Sequence, residues 1–203
     1  MESIILASAS ARRQELLSQI GVRFTVRSQD IDESIRIGEL ANDYVIRMAQ
    51  EKANSALSAL CVIKESSDTL VLAADTSVVC DARVLGKPLD EADAVDMLRC
   101  LSGREHRVLS AVTLATQDKQ RTVLSESQVI FREISVAEAQ QYYRSGEPQG
   151  KAGAYAIQGY AAVFVEQLIG SYSGVMGLPL FETAQLLAEF SVPMQSTNPA
   201  VVK

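Results

Sequence analysis

The stretch Ile4-Ile5-Leu6-Ala7-Ser8-Ala9-Ser10-Ala11-Arg12-Arg13-Gln14-Glu15-Leu16 reads as a short buried strand turning directly into a helix. The apolar run ends in small and hydroxylated residues, and Ser10 is suited to cap the helix that follows. Such a turn gathers free backbone N–H groups and serine hydroxyls at one spot, where an anion is favoured. Two arginines in a first helical turn oppose the helix dipole. Something negative is expected to offset them. Arginine forks match phosphate oxygens in pairs, so this segment is a candidate phosphate site.

Working outward, the helix runs to about Ile20 with Leu16, Leu17 and Ile20 on its apolar face and Gly21 as its stop. Val22 to Val26 alternates as a half-buried strand does, and Ser28 to Gly38 is acidic and irregular. Leu40, Tyr44, Met48 and Ala49 keep helical spacing in a helix expected to reach about Ala59. Leu70 to Ala74 reads as a central strand, with Ser77 to Cys80 continuing the sheet. Gly86-Lys87-Pro88 is a loop, and Asp90 caps a helix to Leu101 that Gly103 ends. Val108 to Leu114 and Val123 to Phe131 suit a long hairpin. Ser135-Val136-Ala137-Glu138 matches a capping box for a helix to about Ser145. A glycine-rich loop, Gly146 to Gly159, leads to a strand over Val163 to Ile169 and a final helix over Leu178 to Phe190. Early alternation of strands and helices with long antiparallel strands in the middle implies a mixed α/β sheet. Residues 1–190 are read as one domain and 191–203 as a fraying tail.

Bulk properties narrow the function. A chain of 203 residues, 47% hydrophobic and 22% charged, suits one large domain or two small lobes. A net charge of −6 argues against nucleic acid or an anionic membrane as partner, so any positive site is local. No apolar run approaches the roughly 18–20 residues of a membrane span, and Glu2 stands where a signal peptide carries positive charge. Cys61, Cys80 and Cys100 form no C-x-x-C pair and read as reduced thiols of a cytoplasmic protein.

The chemistry-bearing residues are carboxylates, lysines and arginines. Asp75 follows an apolar strand, where α/β proteins place ligands; it suits a divalent metal, a proton taken from water, or simply a turn. Glu33 lies in the acidic loop Asp30-Ile31-Asp32-Glu33, and Lys52 in Gln50-Glu51-Lys52-Ala53 on a helix where surface lysines are the norm. Lys87, between Gly86 and Pro88, is confined by a stiff loop, and Lys151 follows Gly150 similarly. The Gln158 amide can donate and accept, which suits base recognition and loop backbone alike. Neither Gly-Lys pair has the earlier glycine of a phosphate-binding P-loop. Gly170-Ser171-Tyr172-Ser173-Gly174 has Tyr where a nucleophile elbow needs Ser. One histidine, His106, reads as a surface or strand residue, and zinc is disfavoured. The remaining set suits phosphate chemistry assisted by Mg²⁺ or Mn²⁺.

These residues bring a family into view. Leu6-Ala7-Ser8-Ala9-Ser10-Ala11-Arg12-Arg13, Ala49-Gln50-Glu51-Lys52-Ala53, Ala74-Asp75-Thr76, Gly86-Lys87-Pro88, Lys151-Ala152-Gly153-Ala154-Tyr155 and Gly177-Leu178-Pro179-Leu180 occur in order along nearly the whole chain. The chain resembles the Maf family of nucleoside triphosphate pyrophosphatases. The resemblance implies an elongated mixed sheet flanked by helices, with a cleft between two lobes, related to the inosine triphosphate pyrophosphatases. It implies metal-dependent cleavage between the α and β phosphates, giving a monophosphate and pyrophosphate in a house-cleaning role. Asp75 would be the proton acceptor or a metal-bound carboxylate, and Glu33 its acidic partner. Ser8, Arg13, Lys52 and Lys87 would hold phosphate. Arg12, Thr76 and Gln158 would be the specificity trio of the dTTP/UTP branch. The implied partners are the nucleoside triphosphate and, as an open option, a second copy of the chain in a homodimer. The alternatives are a nucleotide-sensing regulator of cell division without turnover and a pyrophosphatase for modified purines such as 7-methyl-GTP. Two departures stand out: Ala11 where the family often has Pro, and Gly150 where it often has Asp, which leaves Lys151 without an evident charge partner.

Overall fold

The computed structural model describes residues 4–62 and 69–195. Seven strands form one mixed sheet: β1 (Ile4–Leu6), β2 (Phe24–Val26), β3 (Leu70–Cys80), β4 (Arg83–Leu85), β5 (Glu105–Ala115), β6 (Gln120–Phe131) and β7 (Val165–Ile169). The order is β2-β1-β3-β5-β6-β7, with β4 also on β3. The β1–β2 and β1–β3 pairs are parallel, and all others are antiparallel. Helices α1 (Ala11–Gln19) and α6 (Leu180–Glu189) cover one face, and α2 (Ala41–Val62) covers the other. Helices α3 (Glu91–Leu101) and α4 (Val136–Arg144) pack with the far ends of β3, β5 and β6. A short α5 (Tyr172–Val175) completes the set. No described helix is long and apolar enough to cross a membrane.

The expected mixed sheet is therefore present, and the caps Ser10, Asp90 and Ser135 all form, the last as a full capping box. Four details differ from the sequence reading. Asp75 does not lie past a strand but in the middle of β3, which runs unbroken through eleven residues. Polar Asp75 and Thr76 are carried there because β5 pairs with them along one edge, Asp75 opposite Ala111 and Thr76 opposite Ser110. The strand β4 and the turn α5 were unannounced, both being too short to show a period. The last strand begins at Val165, since Tyr160–Phe164 coil into a 3₁₀ turn beside a register shift at Ile130/Phe131. His106 is on a strand but is 2% exposed, so its surface reading is corrected. Its Nε2 lies 2.9 Å from the Tyr155 hydroxyl, and its ring packs edge-on against Phe131 and Tyr155. Of the expected tail, residues 196–203 lie outside the described residues. Within the described part, the Val192 N–H donates to the Leu187 carbonyl.

Candidate active site

Strand β3 has one complete edge and one interrupted edge. On the interrupted side β1 pairs with Leu70 to Leu72, and β4 pairs with Val78 to Cys80. Between them no described strand pairs with residues 73–77 on that side, and a cleft of about 1090 Å³ opens there. Its walls include the turn from β1 into α1, the loops holding Glu33 and Lys87, and the 146–159 segment.

Strand alternation then sorts the side chains to opposite faces. Val71 and Ala73 pack on the α2 face, and Asp75 continues that series. Leu70, Leu72 and Ala74 pack on the α1 and α6 face, and Thr76 continues that one. Helix α2 buries Val45, Ala49, Ala56 and Leu60, and Lys52 occupies the same stripe between Ala49 and Ala56. Its ammonium therefore points at the sheet, 2.7 Å from Asp75 Oδ1 and 2.7 Å from Glu33 Oε1. Lys87 Nζ approaches Glu33 Oε2 at 3.3 Å. The Glu33 loop is tied to α2 by the Tyr44 hydroxyl, which donates to the Glu33 carbonyl, and by Arg47, which donates to the Ser34 carbonyl. Burial would raise the Glu33 carboxyl, but Lys52 and Lys87 outweigh it and hold it below its usual range.

On the other face Arg13 spans three acceptors. Its Nε donates to the Gly177 carbonyl at 2.8 Å, and its two terminal nitrogens donate to Ser8 Oγ and Thr76 Oγ1 at 3.2 and 3.3 Å. Burial pulls the Arg13 guanidinium below its usual value, against the opposing pull of Asp75 and Glu33. A partly dehydrated cation with neutral contacts is the condition under which an anionic ligand is favoured. Thr76 Oγ1 is also 2.9 Å from Ser110 Oγ, which in turn donates to the Gly174 carbonyl.

The structure thus brings Ser8, Arg12, Arg13, Glu33, Lys52, Asp75, Thr76, Lys87 and Gln158 to one cleft. Among the described residues no hydrogen bond joins Arg12, Thr76 and Gln158. Arg12 pairs with Glu15 one turn along α1, which already offsets part of its charge, while its Nε is buried without a partner among the described residues. Thr76 is engaged with Arg13, and the Gln158 amide has no hydrogen bond among the described residues. Lys151 lines the cleft and forms no ion pair among the described residues, but its charge reaches the Glu147 carboxylate. Sequence reasoning missed Tyr44, Ser110 and the Gly177 carbonyl. Tyr44 had a usable signal in its spacing one turn ahead of Met48, and Gly177 in opening the Gly177-Leu178-Pro179-Leu180 motif, while Ser110 had none. Among the described residues no three metal-ligating side chains form a cluster.

A family model described as Maf-like protein matches residues 3–190. The dTTP/UTP pyrophosphatase of Saccharophagus degradans is 51% identical over 191 residues, covering 94% of this chain and 90% of that protein. The dTTP/UTP pyrophosphatase of Hahella chejuensis is 48% identical over 193 residues, covering 95% of this chain and 94% of that protein. Among solved structures, the Ham1 protein of Staphylococcus aureus matches with a TM-score of 0.44 and 17% identity, over 66% of this chain and 73% of that one. With the family model spanning nearly its whole length and relatives near half identity end to end, the chain belongs to the Maf-like protein family.

Proposed function

We propose that this chain, acting as one catalytic domain in the cytoplasm, hydrolyses dTTP and UTP to the nucleoside monophosphate and pyrophosphate. The observation that carries the reading is the Glu33–Lys52–Asp75 chain of ion pairs beside Arg13 and Lys87 in one open cleft. The names of the relatives point to the same substrates. Arg13, Lys52 and Lys87 set three cations against two carboxylates and hold the triphosphate. The Asp75 carboxylate takes the proton from a water whose oxygen attacks the α-phosphorus, the bond to the bridging oxygen breaks, and pyrophosphate leaves. Mg²⁺ is commonly held by one or two carboxylates plus substrate phosphates, and Glu33 and Asp75 each place an oxygen 2.7 Å from one ammonium, so they fit Mg²⁺ or Mn²⁺. Bound there, the ion would neutralise developing charge on phosphate oxygens. Gln158 reads the base by answering carbonyl with donor and N–H with acceptor, the half-exposed Arg12 guanidinium adds donors, and Thr76 is small enough to leave room for a pyrimidine.

The test is a panel of dTTP, UTP, CTP and 7-methyl-GTP with Mg²⁺ or Mn²⁺, measuring pyrophosphate and orthophosphate separately. We expect pyrophosphate as the first product, dTTP and UTP preferred, and no turnover after chelation. Orthophosphate plus diphosphate, or a preference for 7-methyl-GTP, rejects the reading. Binding without turnover identifies a sensor instead.

A further inference from the structure

Gln158 sits on a turn between Ala156 and Gly159, closed by the Gly159 N–H donating to the Ala156 carbonyl at 2.9 Å. Both flanks of that turn lead to one side chain. Glu147 Oε2 accepts from the Tyr160 N–H at 2.9 Å, and Oε1 accepts from the Ala161 N–H at 3.3 Å. Oε1 also accepts from the Tyr142 hydroxyl at 2.7 Å, and that hydroxyl accepts from the Ala156 N–H at 3.2 Å. Tyr142 is itself 2% exposed on α4 and stacked with Tyr160. The Glu147 carboxylate therefore grips the chain after Gln158 directly and the chain before it through one buried hydroxyl.

We infer that Glu147 is a positioning residue for base selection: it fixes the turn that presents Gln158 to the cleft, and so sets which base the Gln158 amide can meet. Glycine at 159 belongs to the same device, since a Cβ there would lie 2.4 Å from the Glu147 carboxylate. Burial would raise the Glu147 carboxyl, but the Tyr160, Tyr142 and Ala161 donors outweigh it and hold it below its usual range. The carboxylate's acceptor capacity is thus directed into the loop. A neutral amide at 147 would turn one donor toward another donor.

This inference rests on the reading of Gln158 as the base-contacting group, so the experiment separates the two. The ratio of kcat/KM for dTTP to that for CTP is measured in the wild type, Glu147→Ala, Gln158→Ala and the double variant. The inhibition constant of inorganic triphosphate reports the phosphate end independently of any base. We expect Glu147→Ala to lower the ratio about tenfold, as loss of one well-aimed polar contact does, with the triphosphate constant unchanged. Glu147→Ala should lower the ratio no further in the Gln158→Ala background. Glu147→Gln, which keeps the size and one oxygen, should give a smaller loss in the same direction and covers the case in which the alanine variant does not fold. A ratio sensitive to Gln158→Ala but indifferent to both Glu147 variants overturns the positioning role alone. A ratio indifferent to Gln158→Ala overturns the reading of Gln158 and the positioning role with it. A parallel loss for both nucleotides and for triphosphate binding shows a general structural role and overturns the inference.

Discussion

Asp75 earns its place by parity and by neighbours. It continues the α2-facing series of β3, so it meets Lys52 at 2.7 Å, while the adjacent Thr76 faces Arg13. Asp75→Asn keeps the shape and an acceptor for Lys52 but removes the basicity, and loss of a general base costs about 10²–10⁴ in rate. We expect kcat to fall by that range. Removing one partner of a buried pair can cost about 3–5 kcal/mol, but Lys52 keeps Glu33 as a second partner. The variant should therefore remain folded by circular dichroism and urea titration. Near-normal turnover would make Asp75 a structural partner of Lys52 and move the base elsewhere.

The elements around the cleft are joined by backbone contacts that leave little room. The 152–154 turn docks on the loop after β4, the Gly153 N–H donating to the Gly86 carbonyl at 3.0 Å. Gly153 has φ +66, and a Cβ there would lie 2.9 Å from the Val78 side chain on β3. Gly153→Ala meets both the left-handed backbone and that contact, so a loss of about 1–3 kcal/mol is expected in urea unfolding. Because Val78 cannot yield without disturbing the core it belongs to, the loop should shift instead, raising KM for dTTP. An unchanged unfolding midpoint would show that the turn does not hold its place through this contact.

Global stability should depend on pH through a buried group that does not itself line the cleft. Burial in the core between β5, α3 and α4 pushes the His106 imidazole down from 6.5 to about 4. The unfolded chain takes up this proton near 6.5 and the folded chain only near 4, so protonation favours unfolding. The stabilising difference is complete above pH 6.5 and is lost progressively as pH falls toward 4. A tenfold change in proton affinity is worth about 1.4 kcal/mol, so His106 alone should cost about 2 kcal/mol between pH 7 and pH 5. Urea titrations at the two pH values should show this loss in the wild type and a loss smaller by that amount in His106→Gln. Equal losses in both proteins would show that His106 is not the linked group.

Much of this architecture is local. The turn from Leu6 into α1, the Ser10, Asp90 and Ser135 caps and the long β5–β6 hairpin follow from neighbouring residues, because capping, periodicity and turn preferences act over a few positions. The order of motifs along the chain likewise carried the family and its substrates' chemistry. Other features needed the assembled sheet. The apolar runs on either side of Asp75 point to sheet, but that one strand passes through the polar pair depends on β5 pairing along one edge while β1 and β4 leave the other open. Lys52 looks like any helical surface lysine until the buried stripe of α2 meets the sheet. Glu147 gave no signal at all, because its three donors come from an α4 side chain and from backbone more than ten residues away. A site made of groups distant along the chain exists only once packing has brought them together, and that is why the cleft was legible as a list of residues but not as a geometry.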